Sequence, residues 1–162
     1  MEKFKGKVWI LGDDIDTDII IPTEYLALKT VDDMKKYAFS PLRPELASQI
    51  EPGDIIVAGK NFGCGSSREQ APEILVKLNV KCIIAKSYAR IFYRNAINNG
   101  LLLIENKYLP DKCKEGDVVE VHLNHNITHN GEEYKIMSLP DNLMKIINDG
   151  GLVQNMRKRN DV

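Results

Sequence analysis

The 162-residue sequence is poor in cysteine, with three, and in aromatic side chains, which make up 7% and include a single tryptophan. Cys64, Cys82 and Cys113 are odd in number and widely spaced, so they build no disulfide framework and fit a reducing cytoplasm. Neither sign of charge dominates. The 22 basic and 23 acidic residues leave a formal net charge of −1, and no global field draws in nucleic acid or a membrane surface. No apolar run approaches the roughly 18 residues of a spanning helix. The stretch from Met1 to Lys5 leads into no signal-peptide apolar region. Internal repeats and low-complexity segments are absent as well. These absences argue against a membrane protein, a secreted scaffold, a disordered tail and a coiled coil. What is present, 43% apolar and 28% charged residues, is the balance of one globular domain over 1–162, long enough to bury a core without disulfides or metals.

The pattern along the chain predicts an α/β fold. Lys7–Leu11 reads as a strand, Asp32–Phe39 as a short helix, and Leu46–Ile50 as one more helical turn. Asp54–Ala58, Lys81–Ala85 and Leu101–Ile104 are short β-branched apolar runs of the kind buried in parallel sheets. Helices are expected between them, from Ser66-Ser67 to about Asn79 and from Tyr88 to Asn98. In the first, Ala71, Ile74, Leu75 and Leu78 recur at helical spacing, Ser67 and Gln70 match a capping box, and Pro72 suits a first turn. This βαβαβ order implies parallel strands. The last third changes character. Val118–Leu123 alternates as a strand, Asn130-Gly131 signals a hairpin, and Glu133–Met137 reads as the return strand. A helix is expected over Asp141–Asp149, capped by Asp141, then a frayed tail from about Met156.

Gly63-Cys64-Gly65-Ser66-Ser67-Arg68-Glu69 lies where a strand gives way to a helix. Glycines permit close backbone approach, a helix N-terminus favours negative charge, and Arg68 carries a planar fork that grips a carboxylate or phosphate. The local pattern fits either a carboxylate site served by Ser66, Ser67 and Arg68 or a plain turn and cap. The dinucleotide fingerprint fails, because Arg68 holds the place of the third glycine and Lys86 stands where the ribose acid belongs. The phosphate-cradling Walker pattern is absent. Asp14, Asp16 and Asp18 match three positions of a calcium loop, but Ile19 and Tyr25 occupy the required Gly and Glu positions, which leaves turn chemistry. His122, His125 and His129 lie in a strand-and-turn region whose spacing does not suit a shared zinc site, and the cysteine gaps match no zinc or iron–sulfur pattern. No metal ligand is assigned. Cys64 reads as a packing residue or as a thiol mildly activated by the helix terminus. Lys86, Arg90 and Arg94 with Tyr88, Phe92 and Tyr93 read as a half-buried helix or as a basic-aromatic contact surface.

Several segments, in order, carry a resemblance: GDDIDTDIIIP from Gly12, NFGCGSSREQAP from Asn61, AKSYARIF from Ala85, NAINNGLL from Asn95 and IINDGGL from Ile146. The chain resembles the small-subunit family of 3-isopropylmalate dehydratases, the swivelling domain of the aconitase superfamily. The resemblance implies a three-layer β/β/α swivelling domain with a mainly parallel core sheet and an antiparallel hairpin appendage. It implies a hydro-lyase of leucine biosynthesis that interconverts 2- and 3-isopropylmalate, or else the small subunit of homoaconitase or of a methyl- or dimethylmalate hydro-lyase. Activity then requires a large subunit that holds a [4Fe–4S] cluster, with no cofactor bound by this chain and no nucleic acid or membrane as partner.

Residue by residue, the resemblance gives Ser66 the role of catalytic base and Arg68 that of carboxylate ligand. Ser67 is a neighbouring hydroxyl, and Thr17 and Asp18 are a substrate-side pair. Tyr25, Leu26, Ala27, Leu28, Lys29 and Thr30 form the specificity loop. Ala27, followed by Leu28, stands where homoaconitase-type loops carry an arginine, and an apolar lining suits a branched alkyl group. Gln70 stands where the family usually has histidine. A stand-alone anion- or RNA-binding module is the rival of a different class.

Overall fold

The computed structural model describes residues 3–160; Met1 and Glu2 of the leader reading, and the last two residues of the expected tail, lie outside it. A seven-stranded mixed sheet organises the chain in the order β4-β3-β2-β1-β5-β6-β7. β1 (Lys3–Ile10) belongs to both halves. Lys3–Lys7 pairs antiparallel with β5, and Val8–Ile10 pairs parallel with β2. Two short helices, α1 (Thr17–Ile20) and α2 (Val31–Met34), and α3 (Leu46–Gln49) follow. Then come β2 (Ile55–Ala58), α4 (Gln70–Lys77), β3 (Cys82–Ala85), α5 (Arg90–Asn98) and β4 (Leu102–Glu105). A single turn, α6 (Leu109–Lys112), leads to the antiparallel half: β5 (Val118–His122), β6 (Asn126–His129) and β7 (Glu132–Lys135). Helices α7 (Asp141–Asn148) and α8 (Leu152–Asn160) close the described chain.

The apolar runs are strands because both their faces are covered. Every residue of β2 and β3 is buried. Each fully buried isoleucine or valine contributes about 1.5–3 kcal/mol relative to an exposed one. Ala71, Ile74, Leu75 and Leu78 turn into the core, as their spacing predicts. Asn130 and Gly131, both at positive φ, make the tight turn between β6 and β7.

Four expectations change. β1 begins four residues before the expected Lys7, since Lys3 and Lys5 find Glu120 on β5, with Nζ–Oε distances of 3.0 and 3.6 Å. β6, polar in sequence, is a strand only because β5 and β7 flank it. Pro140, not Asp141, occupies the cap position of α7, and no side-chain bond is made there. The tail expected to fray from about Met156 is helical through Asn160. It is anchored by Asn155 Nδ2 and Lys158 Nζ, which reach the Asp149 carboxylate at 2.9 and 2.8 Å.

Away from the site, Arg43 ties the α3 region to the loop before β5. Its Nη1 meets Glu115 Oε1 at 2.5 Å, and that oxygen also accepts the Ile10 N–H at 3.1 Å.

Candidate functional site

The helix that follows the glycine-rich turn starts later than its cap pattern predicts. α4 opens at Gln70, its cap residue is Glu69, and no side-chain bond is made there. Pro72 sets this limit. It has no N–H to donate to the Arg68 carbonyl, and its ring would clash with that carbonyl in a helix, so the helix begins only within a turn of Pro72. Ser66, Ser67 and Arg68 therefore belong to a loop.

That loop is held from two sides. Gly63 N–H donates to the Ile15 carbonyl at 2.7 Å, and Thr17 N–H to the Cys64 carbonyl at 2.9 Å. Buried Thr17 then donates its hydroxyl to the Ser66 carbonyl at 2.8 Å. Gly63 sits at φ 84°, and a Cβ there would collide with the Phe92 ring. The glycine thus lets the loop lie directly on α5, where Phe92 also meets Phe62 edge-on at 5.4 Å between centroids.

Ser66 and Ser67 are exposed, whereas Arg68 is largely buried. Its Nη1 donates to the Ile21 carbonyl at 2.8 Å, and its Nη2 reaches Thr23 Oγ1 at 2.8 Å and Asp18 Oδ1 at 2.5 Å. The guanidinium is fixed in place, with its charge balanced by the exposed carboxylate of Asp18. Thr17 thus holds the Ser66 backbone, and Asp18 pairs with Arg68.

A cleft of about 350 Å³ opens here, and Thr17, Ser66, Ser67 and Arg68 form part of its wall. The first two turns of α5 also line it, through Arg90, Ile91, Phe92 and Asn95. No side chain caps that helix, so its N-terminal positive end lies at the cleft. Sequence reasoning credited the helix dipole to the segment after Ser67; in the fold it comes from the next helix. Arg90 enters the cleft wall for the same reason. It is exposed and forms no ion pair among the described residues, and in the sequence it lay in the basic-aromatic stretch and the AKSYARIF segment, neither of which marked it for the cleft.

Of the rest of that stretch, Arg94 is exposed and Tyr93 half-buried, while the other members are engaged within the fold. Phe92 is buried, and the Tyr88 hydroxyl lies 2.9 and 2.7 Å from the Ile83 and Ile104 carbonyls. Lys86 Nζ pairs with Asp111 at 2.8 Å. These rings therefore offer no stacking platform to a nucleic acid.

Residues 25–30 do not line the cleft. Tyr25–Ala27 completes a 3-10 turn from Thr23, and Tyr25 stacks on Tyr37 at 4.0 Å. Leu26 and Leu28 pack against the core, while Ala27 and Lys29 are exposed. Thr30 caps α2 through its hydroxyl. The loop meets the site through Thr23, its neighbour, on Arg68.

The acidic stretch is turn chemistry. Asp13 accepts the Lys60 N–H, Asp14 accepts from the Asn61 amide, and Asp16 caps α1. Burial pushes the Cys64 thiol up, with Asp16 and Asp14 adding to the effect, so Cys64 packs as a thiol and is not activated. The three cysteines do not gather into a cluster site: among the described residues, the one convergent group of thiol, imidazole and carboxylate side chains includes only Cys113 of the three. A larger hollow of about 700 Å³ between edge strands β4 and β7 is lined by Tyr93 of the basic-aromatic stretch but by none of Thr17, Asp18, Ser66, Ser67 and Arg68.

Comparison with known proteins bears on the same segments. Residues 14–108 match the family described as aconitase C-terminal domain. The chain is 76% identical to the 3-isopropylmalate dehydratase small subunit of Lachnospira eligens, over 98% of this chain and 97% of that one. It is 48% identical to the methanogen homoaconitase small subunit of Methanothermobacter thermautotrophicus, over 97% and 92%. The crystal structure of 3-isopropylmalate dehydratase from Methanocaldococcus jannaschii superposes with a TM-score of 0.91 at 40% identity, covering 98% of this chain and 95% of that one.

Proposed function

Since the chain belongs to the family of 3-isopropylmalate dehydratase small subunits, built on the aconitase C-terminal domain, we propose that it is the small half of a cytoplasmic two-subunit hydro-lyase that interconverts 2- and 3-isopropylmalate in leucine biosynthesis. One observation carries the site assignment. The loop presents an exposed Ser66 on an open cleft beside a rigidly held Arg68.

Ser66 is the base that takes the proton from the carbon next to a carboxylate. Serine at its ordinary pKa is too weak for that task and needs positive surroundings. The uncapped N-terminus of α5, Arg90 and Arg68 supply them at the cleft. Arg68 still has N–H groups without a partner among the described residues and offers them to one substrate carboxylate. Arg90, without an ion-pair partner among the described residues and also on the cleft wall, takes the other. Ser67 contributes a neighbouring hydroxyl. Thr17 and Asp18 act through Ser66 and Arg68.

The iron–sulfur cluster, expected on the large subunit, supplies the Lewis acid for the hydroxyl that leaves and returns. This chain's own part is to orient the dicarboxylate and move the proton at Ser66 Oγ. The loop over Tyr25–Thr30 selects the substituent. With Ala27 as its exposed apolar member, it favours a branched alkyl group over a third carboxylate.

The test is co-expression with the large subunit, anaerobic cluster reconstitution, and assay of isopropylmalate beside homocitrate and dimethylmalate. Activity is expected only with both chains and preferentially on isopropylmalate. In that complex, Ser66→Ala lowers kcat by about 10³-fold with little change in KM, because it removes a proton acceptor and no binding charge. Near-normal turnover by the variant would remove Ser66 from the role. Ala27→Arg shifts preference towards the substrate with the extra carboxylate, and an unchanged ranking of the three acids would exclude the loop from selection.

A further inference from the structure

The convergent group noted above lies in the antiparallel half of the sheet. Cys113 Sγ, an Asp117 carboxylate oxygen and a His129 ring nitrogen lie within 4.8 Å of one another. Cysteine-to-cysteine and histidine-to-histidine spacings conceal this set, since it takes one ligand of each kind from three places in the fold. Cys113 follows the single turn α6, Asp117 precedes β5, and His129 ends β6.

We propose that Cys113, Asp117 and His129 form a divalent-metal site for a borderline ion of the zinc class, with one position left for water. Thiolate, imidazole and carboxylate together are a zinc and cobalt donor set, whereas calcium and magnesium take oxygen donors.

The ligands are held by backbone. The Cys113 N–H bonds the Leu109 carbonyl at 3.0 Å. The turn at 114–117 is bolted to β1 by Gly116 N–H on the Val8 carbonyl and Val8 N–H on the Asp117 carbonyl, both at 2.9 Å. Asp117 Oδ2 accepts the Lys114 N–H at 2.9 Å and contacts His129 Nε2 at 2.8 Å. Donors around a four-coordinate zinc stand about 3.3–3.8 Å apart given its bond lengths. Closing the set therefore needs a shift of about 1 Å in side chains, not in the sheet.

Cys113 and His129 are buried and Asp117 is half-buried, so the ion would sit at the base of the sheet with its open side towards Asp117. Binding converts the thiol to a thiolate and releases its proton to solvent. In the metal-free chain the His129–Asp117 contact already gives the imidazole a partner. The fold therefore does not depend on the ion, and chelators remove the metal without unfolding the protein. This site is independent of the Ser66 cleft, so its test needs no large subunit.

The untagged full-length chain is titrated with Co²⁺ and then Zn²⁺. The expected result is one equivalent of cobalt with the intense visible bands of a four-coordinate ion and a thiolate charge-transfer band, displaced by zinc. Cys113→Ser abolishes the charge-transfer band and weakens zinc binding by about 100-fold or more, while Cys64→Ser leaves both intact. Should Cys113→Ser fail to fold by circular dichroism, His129→Gln must cause the same weakening. The proposal is overturned by a pale six-coordinate spectrum, by the absence of thiolate charge transfer, or by binding that survives these changes.

Discussion

Arg68 and Arg90 are both arginines on the same cleft, yet they are in different electrostatic states. Arg68 has its charge balanced by Asp18 and three groups on its fork, whereas Arg90 has no partner among the described residues. If Arg90 holds a substrate carboxylate, Arg90→Gln costs one charge-assisted pair, about 1.5–3 kcal/mol, or about a 10- to 100-fold rise in KM with kcat nearly unchanged. Steady-state kinetics of the reconstituted complex reads this directly, with Arg94→Gln, one turn further along α5 and outside the cleft wall, as the control. An equal loss in both variants would assign the effect to the surface charge of the helix. That Ser66, Ser67 and Arg68 stand together was legible in the sequence because their motif is contiguous. Arg90 was not, because what brings it to the cleft is a contact between Gly63 and Phe92 that no local pattern encodes. The contacts of Thr17 with Ser66 and of Asp18 with Arg68 were not legible, because they join segments about fifty residues apart in sequence.

At the scale of elements, the loop–helix contact is the point of greatest sensitivity. Gly63→Ala puts a methyl group against the Phe92 ring on a backbone at φ 84°. Two costs add there, strain in the left-handed region and displacement of a packed aromatic. A loss of about 2 kcal/mol or more is expected in urea unfolding, with turnover falling further than stability alone explains. A change below about 0.5 kcal/mol would mean that the loop lifts off α5 without cost. The elements that sequence reading found share one property: β2, β3, β4 and the apolar face of α4 announce themselves through buried side chains. Those it missed, α1, β6, α6 and α8, are short or polar and take their shape from neighbours. The start of α4 was misread although Pro72 marked it. The capping spacing of Ser67 and Gln70 points to an earlier start than the missing N–H of Pro72 allows.

At the scale of the molecule, no helix among the described residues is long and apolar enough to cross a membrane, and charge acts through clamps between distant segments. The Arg43 hydrogen bond holds Glu115 below the ordinary glutamate range, and Lys3 does the same for Glu120. A depressed carboxylate pKa stabilises the fold above the ordinary glutamate value, and that stability is lost as pH falls through the lower folded value. Both pairs are partly open to solvent, so screening keeps the effect small. The melting temperature is expected to hold level through neutral pH and drop only in the acid range, with a shallower drop in Glu115→Gln. If that variant instead follows the wild-type curve, the Arg43 clamp contributes nothing to acid stability.

The sharing of β1 between the two halves of the sheet also has a temporal side. Its C-terminal half finds β2 once the chain extends to Val57, but its N-terminal half pairs with Val118–His122. A chain synthesised from its amino end must carry Lys3–Lys7 unmatched until most of its length exists. This is a long-range closure of the kind that slows folding and leaves a strand edge open to wrong partners in the meantime. Lysines at positions 3, 5 and 7 of that waiting edge are the residues that best discourage such pairing.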